Sequence, residues 1–284
     1  MTQSLDEWIE HQHVEPDSPQ LSIIIPAYNE EKRLAPTLVD TIDYCESRGI
    51  NYEIIVVDDG SKDGTSGIVN KINKVRSQVK LIKLPKNYGK GHAVKTGMLN
   101  AHGQILLFAD ADGSTPITEF EKLEKAIADG AQIAIGSRAM PSIDTSVKTH
   151  LHRKIMGRIF NFFVNQFLLP NIADTQCGFK LFTAEAADFL FKMQRSNQFS
   201  FDLELLFIAR RAGLKIQEIP VNWKNASGSK VNLITDSIKM FKDIFCFKIR
   251  YSHITPSDFA SHTLAAIKTD SPELNAPAMP SVSD

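Results

Sequence analysis

A chain of 284 residues with 43% hydrophobic residues has the size and composition of an ordinary globular protein built around one large core. Its 32 basic and 33 acidic residues nearly cancel, so the composition gives no electrostatic argument for a nucleic-acid partner. The three cysteines stand far apart in the sequence, which favours a reducing compartment over a disulfide framework or a zinc site.

The N-terminal segment 1–20 is polar and acidic, and it lacks the apolar core of a signal peptide. No uninterrupted apolar stretch approaches the roughly 20 residues that a membrane-spanning helix needs. We therefore expect a cytoplasmic protein with a short N-terminal extension. Peripheral contact with the cytoplasmic face of a membrane stays open.

Short apolar runs alternate with helical segments from residue 21 to residue 136. Such runs are typical of strands in a parallel sheet whose two faces are both covered. Four successive alternations of strand and helix favour a doubly wound, mostly parallel α/β sheet with helices on both faces. The predicted strands are 21–25, 53–57, 79–84, 104–109 and 131–135.

Beyond Arg138 this alternation ends, and two helices are notable for their apolar faces. Helix 151–169 has a wide apolar face, a narrow polar stripe and a basic N-terminal end, which is typical of a helix at a membrane interface. The same pattern is equally typical of a packed core helix or a dimer interface. The amphipathic C-terminal helix 231–250 carries lysines and an arginine and is the second candidate for contact with anionic lipid.

These assignments place the folded domain at residues 21–250. The following segment, 251–284, is rich in Ser, Pro, Ala and Thr and has little apolar content. Such a composition cannot bury enough apolar surface to offset the entropy of ordering a chain. We therefore expect a disordered tail there.

Strand 104–109 ends in an acidic cluster, Asp110-Ala111-Asp112. Residues at i and i+2 of an extended segment project to one side. Asp110 and Asp112 can therefore share one hard divalent cation and the diphosphate that it bridges. The alternative is a solvated acidic turn that caps the following helix.

Strand 53–57 ends in a second acidic pair, Asp58-Asp59, followed by Gly60-Ser61. Ligands of open α/β sheets bind at the carboxyl ends of the strands, so both acidic clusters are expected at the ligand edge. A nucleotide base or ribose hydroxyl would give Asp58 and Asp59 their partners. The alternative, an Asx-type turn, accounts for Gly60 and Ser61 but not for two consecutive acids.

A third loop, Asn87-Tyr88-Gly89-Lys90-Gly91-His92, opens the helix after the third strand. It lacks the spacing of a dinucleotide fingerprint and the Gly-Lys-Ser/Thr of a Walker A loop. Lys90 is nevertheless suited to approach a diphosphate, because helix N-termini attract anions.

In this order, the motifs resemble those of family 2 glycosyltransferases of the GT-A fold over about residues 21–250. The later motifs are similar to those of the polyprenyl-phosphate glycosyltransferases, and most of all to the dolichyl-phosphate glucosyltransferase group. The motifs that carry the resemblance are Pro26-Ala27-Tyr28-Asn29-Glu30-Glu31, Val56-Val57-Asp58-Asp59-Gly60-Ser61, Asn87–Gly91, Asp110–Ser114, Gly136-Ser137-Arg138, Asp174–Lys180 and Phe201-Asp202-Leu203-Glu204.

The resemblance implies a UDP-sugar donor, Mg²⁺ or Mn²⁺ as cofactor, and a polyprenyl or dolichyl phosphate acceptor. Asp110 and Asp112 would position the metal. Arg138 and Lys230 would meet the acceptor phosphate, and Asp174 would lie near the sugar and the acceptor. The residues implied to line the nucleotide-sugar site are Pro26, Tyr28, Glu30, Asp58, Asp59, Lys90 and Asp110.

The implied reaction is an inverting transfer of glucose from UDP-glucose to the lipid phosphate, which gives a β-linked product. A phosphate monoester is largely ionised at neutral pH, because its second pKa is near ~6, so it needs little help from a base. Asp174 is therefore expected to align the sugar hydroxyls or Arg138. The alternatives are a turn residue for Asp174 and a surface salt bridge for Arg138.

Three other functions stay open at this point. The first is transfer of mannose or another hexose to the same lipid phosphates, because sugar choice depends on pocket shape. The second is a soluble GT-A transferase acting on a hydroxyl group, for which Asp174 would have to be a true base. The third is a non-catalytic protein that binds nucleotide sugars. The oligomeric state is likewise open.

Overall fold

A seven-stranded sheet organises the chain. The computed structural model describes residues 18–140, 142, 145–148, 164–224 and 243–270. The strands in chain order are β1 (Leu21–Ala27), β2 (Tyr52–Asp58), β3 (Val79–Lys83), β4 (Ile105–Ala109), β5 (Ile133–Ser137), β6 (Val147–Lys148), β7 (Phe179–Thr183), β8 (Ile216–Pro220) and β9 (Trp223–Lys224).

The order of strands across the large sheet is β3-β2-β1-β4-β7-β5-β8. Every neighbouring pair is parallel except those of β7, which runs antiparallel to both β4 and β5. β6 and β9 form a separate parallel pair. The parallel strands β1, β2 and β4 end at one edge, so the loops that follow them meet there. Because β1 lies between β2 and β4, the two acidic clusters are not on adjacent strands.

Helices alternate with the strands of the first half of the chain, as predicted. Residues 164–167 and 243–250 are also helical. The other helices are α1 (Leu34–Ser47), α2 (Thr65–Asn73), α3 (Lys90–Leu99), α4 (Phe120–Ala128), α5 (Ala184–Met193), α6 (Phe201–Arg211) and α7 (Pro256–Asp270), with a short 3₁₀ turn at Ile117–Glu119 before α4.

Within the described residues, the two largest apolar cores lie on opposite faces of the sheet. Alternate residues of β1 serve the two cores, as the two-residue period of a strand requires. Ile24 packs into one core together with Phe108, whereas Ile23 and Ile25 pack into the other together with Phe120. The predicted doubly wound, mostly parallel α/β sheet with helices on both faces is confirmed.

The predicted disordered tail, 251–284, is wrong for the part that the structure describes. Pro256–Asp270 form α7, and the carboxylate of Asp258 closes its first turn by accepting the backbone N–H and the hydroxyl of Thr255 at 2.7 and 2.8 Å. The ring of Phe259 packs edge-on against an α5 phenylalanine at 5.4 Å. The overlooked signals were a Thr-x-x-Asp cap, a proline at the first helical position and one well-placed aromatic residue.

Several predictions fall outside the described residues. These are the N-terminal segment up to residue 17, most of helix 151–169, the first part of the amphipathic helix 231–250, and Lys230. Residues 243–250 of that amphipathic helix are described and are helical. Among the residues with described positions, no helix has the length and apolar character to cross a bilayer.

Candidate active site

Asp110 follows the last residue of β4, where the chain leaves the sheet beside β7. Its backbone N–H donates to the carbonyl oxygen of Gly178 at 3.0 Å, which holds the acidic loop against the segment that enters β7. A Cβ atom added at Gly178 would stand less than 3.0 Å from Cγ and both carboxylate oxygens of Asp110. A glycine at this position therefore lets the Asp110 carboxylate keep its place.

Lys90 is the first residue of α3, and its ammonium group lies 2.6 Å from Oδ1 of Asp110. Asp59 fixes the loop before it, because its two carboxylate oxygens accept the backbone N–H groups of Tyr88 and Gly89, each at 2.8 Å. Gly89 adopts a φ of +110°, a conformation that glycine reaches without steric cost. Asp59 thus shapes the loop that presents Lys90.

Asp58 is fully buried and finds its partners in the loop and the helix that follow β2. Its Oδ1 accepts the backbone N–H of Ser61 at 2.7 Å, and its Oδ2 accepts the hydroxyl of Ser66. The Asx-type turn weighed as the alternative is therefore present. Protein groups give both Asp58 and Asp59 hydrogen-bond partners, so their placement does not require a nucleotide. Their contact with a nucleotide stays a prediction.

The loop after β1 contributes an ion-pair group that reaches the acidic edge. Both carboxylate oxygens of Glu30 accept hydrogen bonds from the guanidinium group of Arg33 at 2.6 Å. Arg33 also lies 3.6 Å from Asp112. Pro26 and Tyr28, at the end of the same strand, are half-buried. The sequence analysis missed Arg33, although three-residue spacing from Glu30 is a readable signal.

The donor atoms at the acidic edge fit a divalent cation that brings ligands of its own. Within the described parts of the chain, no group of three or more His, Cys, Asp or Glu side chains could hold a metal ion. The side chains of Asp110 and Asp112 are 35% and 23% exposed, and each faces a cationic group, Lys90 or Arg33. Mg²⁺ is commonly bound by one or two carboxylates, with water and substrate phosphates completing its shell. Two aspartates therefore suffice for a cation that arrives with a diphosphate.

Arg138, directly after β5, and Asp174, in the segment before β7, form a forked ion pair. Oδ2 of Asp174 accepts hydrogen bonds from Nε of Arg138 at 2.7 Å and from its backbone N–H at 3.0 Å, and Oδ1 accepts from Nη2 at 2.9 Å. The guanidinium carbon lies 5.5 Å from the ring centroid of Trp223. Glu218 holds Asp174 in turn, because Oε1 accepts the backbone N–H of Asp174 at 2.7 Å.

This arrangement keeps the Asp174 carboxyl ionised. Burial would raise its pKa, but the charge and the hydrogen bonds of Arg138 outweigh burial and lower the pKa below its usual range. Both oxygens are engaged with Arg138, which makes Asp174 a poor proton acceptor and a good orienting group. The side chain of Arg138 stays 32% exposed, so its guanidinium group can still meet an incoming phosphate.

Lys180 and Asp202 form a buried ion pair to which the sequence analysis assigned no role. Nζ of Lys180 is 2.5 Å from Oδ1 of Asp202 and from a backbone carbonyl oxygen. Burial raises the pKa of the Asp202 carboxyl, and the nearby lysines 180 and 90 offset that rise only in part. Burial would lower the pKa of Lys90, but Asp110 and Asp202 outweigh it and raise that pKa. Lys90 therefore stays protonated and positively charged.

The structure thus gathers one group of predicted residues at a single edge of the sheet. The charge of Asp110 contributes to the raised pKa of both Lys90 and Arg138, so both cationic groups lie within electrostatic range of this carboxylate. The residues brought together are Asp110, Asp112, Lys90, Arg138 and Asp174. Glu30 reaches this group through Arg33, whereas Asp58 and Asp59 support the loops behind it.

The sequence model of glycosyl transferase family 2 matches residues 22–191. The chain belongs to this family. Its relatives include the dolichyl-phosphate beta-glucosyltransferases of Homo sapiens, 41% identical over 250 residues, and of Saccharomyces cerevisiae, 37% identical over 259 residues. The human match covers 83% of this chain and 77% of that protein, and the yeast match 85% and 78%.

Solved structures agree with a family 2 fold of the GT-A type. Mannosyl-3-phosphoglycerate synthase from Rubrobacter xylanophilus superposes with a TM-score of 0.61 at 14% identity, covering 92% of this chain and 79% of that chain. Glucosyl-3-phosphoglycerate synthase from Mycobacterium tuberculosis, in complex with Mn²⁺ and UDP-glucose, gives a TM-score of 0.58 at 17% identity, covering 82% and 79%. At these identities the likeness establishes the fold.

Replacing Gly178 by Ala should disable this family 2 site while the sheet stays folded. The new methyl group would displace the Asp110 carboxylate, so any Mn²⁺-dependent binding of UDP at this edge should weaken at least about tenfold, as for loss of a charged contact. Isothermal titration calorimetry measures the binding, and thermal unfolding of the same sample checks the fold. Gly67→Ala is the matched control, because a Cβ there meets nothing within 4 Å. Wild-type binding in Gly178→Ala would contradict the predicted clash.

Proposed function

We propose that this chain is an inverting glucosyltransferase that moves glucose from UDP-glucose to dolichyl or another polyprenyl phosphate. Similarity to dolichyl-phosphate beta-glucosyltransferases over more than four fifths of the chain supports the sugar and the acceptor class. The observation that carries the proposal is the pairing of two charged groups at one edge of the sheet. Asp110 lies beside Lys90 and Asp112 beside Arg33, and Arg138 is held by Asp174.

On the donor side, the site has to hold a diphosphate that gains charge as it leaves. Asp110 and Asp112 would hold Mg²⁺ or Mn²⁺, which supplies charge neutralisation to the departing diphosphate when it is bound. Lys90 adds a positive charge at the N-terminus of α3, a position that favours anions. The residues proposed to shape the rest of the nucleotide-sugar site are Pro26, Tyr28, Glu30, Asp58 and Asp59.

On the acceptor side, Arg138 presents a planar guanidinium group, which matches the geometry of a phosphate. Lys230, outside the described residues, would be the second cation. An oxygen of the ionised lipid phosphate attacks the anomeric carbon while the bond from that carbon to the UDP oxygen breaks. Attack opposite the leaving group turns the α-linked donor into a β-linked product, and no proton has to move. Asp174 keeps Arg138 in orientation during this step.

A panel of donors and acceptors tests this function directly. Purified protein is incubated with Mn²⁺, dolichyl phosphate and one labelled donor at a time: UDP-glucose, GDP-mannose or UDP-N-acetylglucosamine. We expect label from UDP-glucose to enter the lipid phase. Label from GDP-mannose instead would support transfer of another hexose to the lipid phosphate. Label on a soluble hydroxyl acceptor would support a soluble transferase that acts on a hydroxyl group. Donor binding without transfer or hydrolysis would support the non-catalytic alternative.

We extend the proposal to peripheral contact with the cytoplasmic face of a membrane, which a lipid acceptor requires. Helix 243–250 buries Ile244 and Phe247 but exposes the side chains of Phe245 and Ile249, by 63% and 79%. An exposed lysine, residue 248, lies between these two apolar side chains in sequence. An apolar and basic surface of this kind is typical of helices that bind anionic lipid.

Replacing Phe245 and Ile249 together by Ser should weaken membrane binding several-fold, because both side chains lose the gain from burial in the interface. Co-flotation with liposomes that contain anionic lipid measures the effect. Val75→Ser is the control, since Val75 is 70% exposed but lies after α2. Equal flotation of the wild type and the double variant, or no flotation of the wild type, would contradict this use of the helix.

A further inference from the structure

Lys90 is bound to the carboxylate that a metal ion would use. Its ammonium group lies 2.6 Å from Oδ1 of Asp110, and its side chain is only 23% exposed. A divalent cation that binds Oδ1 of Asp110 competes with this ammonium group, because two cations on one carboxylate oxygen repel each other strongly. The ammonium group then needs another partner, since leaving a mostly enclosed charge unpaired is costly.

Asp202 provides a second carboxylate for Lys90. Its Oδ1 is 2.5 Å from Nζ of Lys180, and its charge acts on Lys90 as well. The ammonium groups of Lys90 and Lys180 both lie over the ring of Phe108, at 5.1 and 5.7 Å from its centroid. Lys90 and the lysine paired with Asp202 thus share one aromatic ring, and the charges of Asp110 and Asp202 both act on Lys90.

We propose that Lys90 couples metal binding to donor binding by moving from Asp110 toward Asp202 and the donor diphosphate when a divalent cation arrives. This inference rests on the proposed function, because it assumes a nucleoside-diphosphate donor and a cation at Asp110 and Asp112. The ion pair of Lys180 and Asp202 acts as a positioning pair that receives Lys90. A cation alone then binds weakly, since it must displace Lys90, and a diphosphate that attracts Lys90 strengthens cation binding.

Binding of Mn²⁺ without nucleotide isolates this competition, and electron paramagnetic resonance of free Mn²⁺ measures it. We expect Lys90→Met to bind Mn²⁺ about tenfold more tightly than the wild type, because a charged hydrogen bond no longer has to break. UDP should bind Lys90→Met less tightly and strengthen Mn²⁺ binding by a smaller factor. Lys86→Met removes the same charge nearby, from an ammonium group 5.1 Å from the Tyr88 ring centroid, and should leave Mn²⁺ affinity nearly unchanged.

A charge-neutral double variant separates displacement of Lys90 from general electrostatics. Lys180→Met combined with Asp202→Asn removes both charges of the buried pair, since removing one alone would leave an unpaired buried charge. We expect this variant to bind Mn²⁺ alone more weakly than the wild type, because Lys90 loses its alternative partner. Adding Lys90→Met should abolish that difference. Purely additive effects would contradict the movement of Lys90.

The outcomes separate this inference from the proposed function. A wild-type protein that binds Mn²⁺ neither with nor without UDP would overturn the proposed metal site and the inference together. A wild type that binds Mn²⁺, with Lys90→Met binding it no more tightly in the absence of UDP, would overturn the inference alone. The Lys90→Met result decides the matter even where the charge-neutral double variant does not fold.

Discussion

Asp110→Asn should lower kcat/KM for glucosyl transfer by about 10²–10³, the usual cost of removing one preorganised electrostatic group from an active site. Asparagine has nearly the same volume, and its oxygen can still accept a hydrogen bond from Lys90, so the packing of this side chain against Gly178 is kept. The loss should therefore fall on Mn²⁺ affinity and on kcat. Initial rates of label transfer at a series of Mn²⁺ concentrations measure both.

Asp129→Asn is the matched control for this experiment. Asp129 pairs with Lys125 at 2.8 Å on the exposed end of α4, so its replacement removes an acid without affecting the acidic edge. Such surface pairs contribute about 0–1 kcal/mol to stability, and we expect nearly normal transfer. If Asp110→Asn kept wild-type kcat at the same Mn²⁺ concentration, the role of Asp110 as a metal ligand would be refuted.

Arg138→Gln combined with Asp174→Asn should have an effect of similar size on the acceptor half of the reaction. Removing both partners avoids leaving a buried, unpaired carboxylate, which alone would destabilise the fold by about 3–5 kcal/mol. We expect kcat/KM for the lipid phosphate to fall by about 10²–10³, because the guanidinium group that meets the phosphate is gone. The KM for UDP-glucose should change little. A loss confined to the KM for UDP-glucose would place Arg138 on the donor instead.

The single variant Asp174→Asn distinguishes the roles of that carboxylate. An orienting group should cost about tenfold in rate, whereas a true base should cost about 10²–10⁴. Near-normal turnover would exclude both roles. The rate should rise with pH through about 6 as the lipid phosphate loses its second proton. Asp174 does not contribute to that rise, because Arg138 holds its pKa below the usual range.

Runs of apolar residues along the sequence predicted most of the strands of the sheet. Apolar runs gave β1 to β5 because buried parallel strands lack polar positions, and the loops after β2 and β4 lie at one edge as expected. The insertion of β7 between β4 and β5 was not predictable, because periodicity identifies a strand but not its neighbours. That insertion matters for the site, since it brings Gly178 against Asp110.

Residue types and their positions identified several members of the site, but not the contacts between them. Asp110, Asp112 and Arg138 were picked out by position, yet the ion pairs join residues far apart in sequence. Arg138 and Asp174 are 36 positions apart, and a buried lysine, residue 180, finds Asp202 across 22 positions. No local rule says which acid meets which base, because only the folded sheet brings them together. The pairing of Glu30 with residue 33 was readable, since its spacing is that of neighbours on a helical turn.

Transfer of glucose from UDP-glucose to a lipid phosphate with inversion fixes the anomeric configuration of the product, which a single reaction measures. Purified protein, Mn²⁺, dolichyl phosphate and UDP-glucose carrying ¹³C at its anomeric carbon are incubated, and the lipid phase is examined by nuclear magnetic resonance. Inverting transfer should release one UDP for each glucose transferred and give a β-configured anomeric carbon coupled to phosphorus. An α-configured product, or UDP release with free glucose and no lipid-linked sugar, would contradict it.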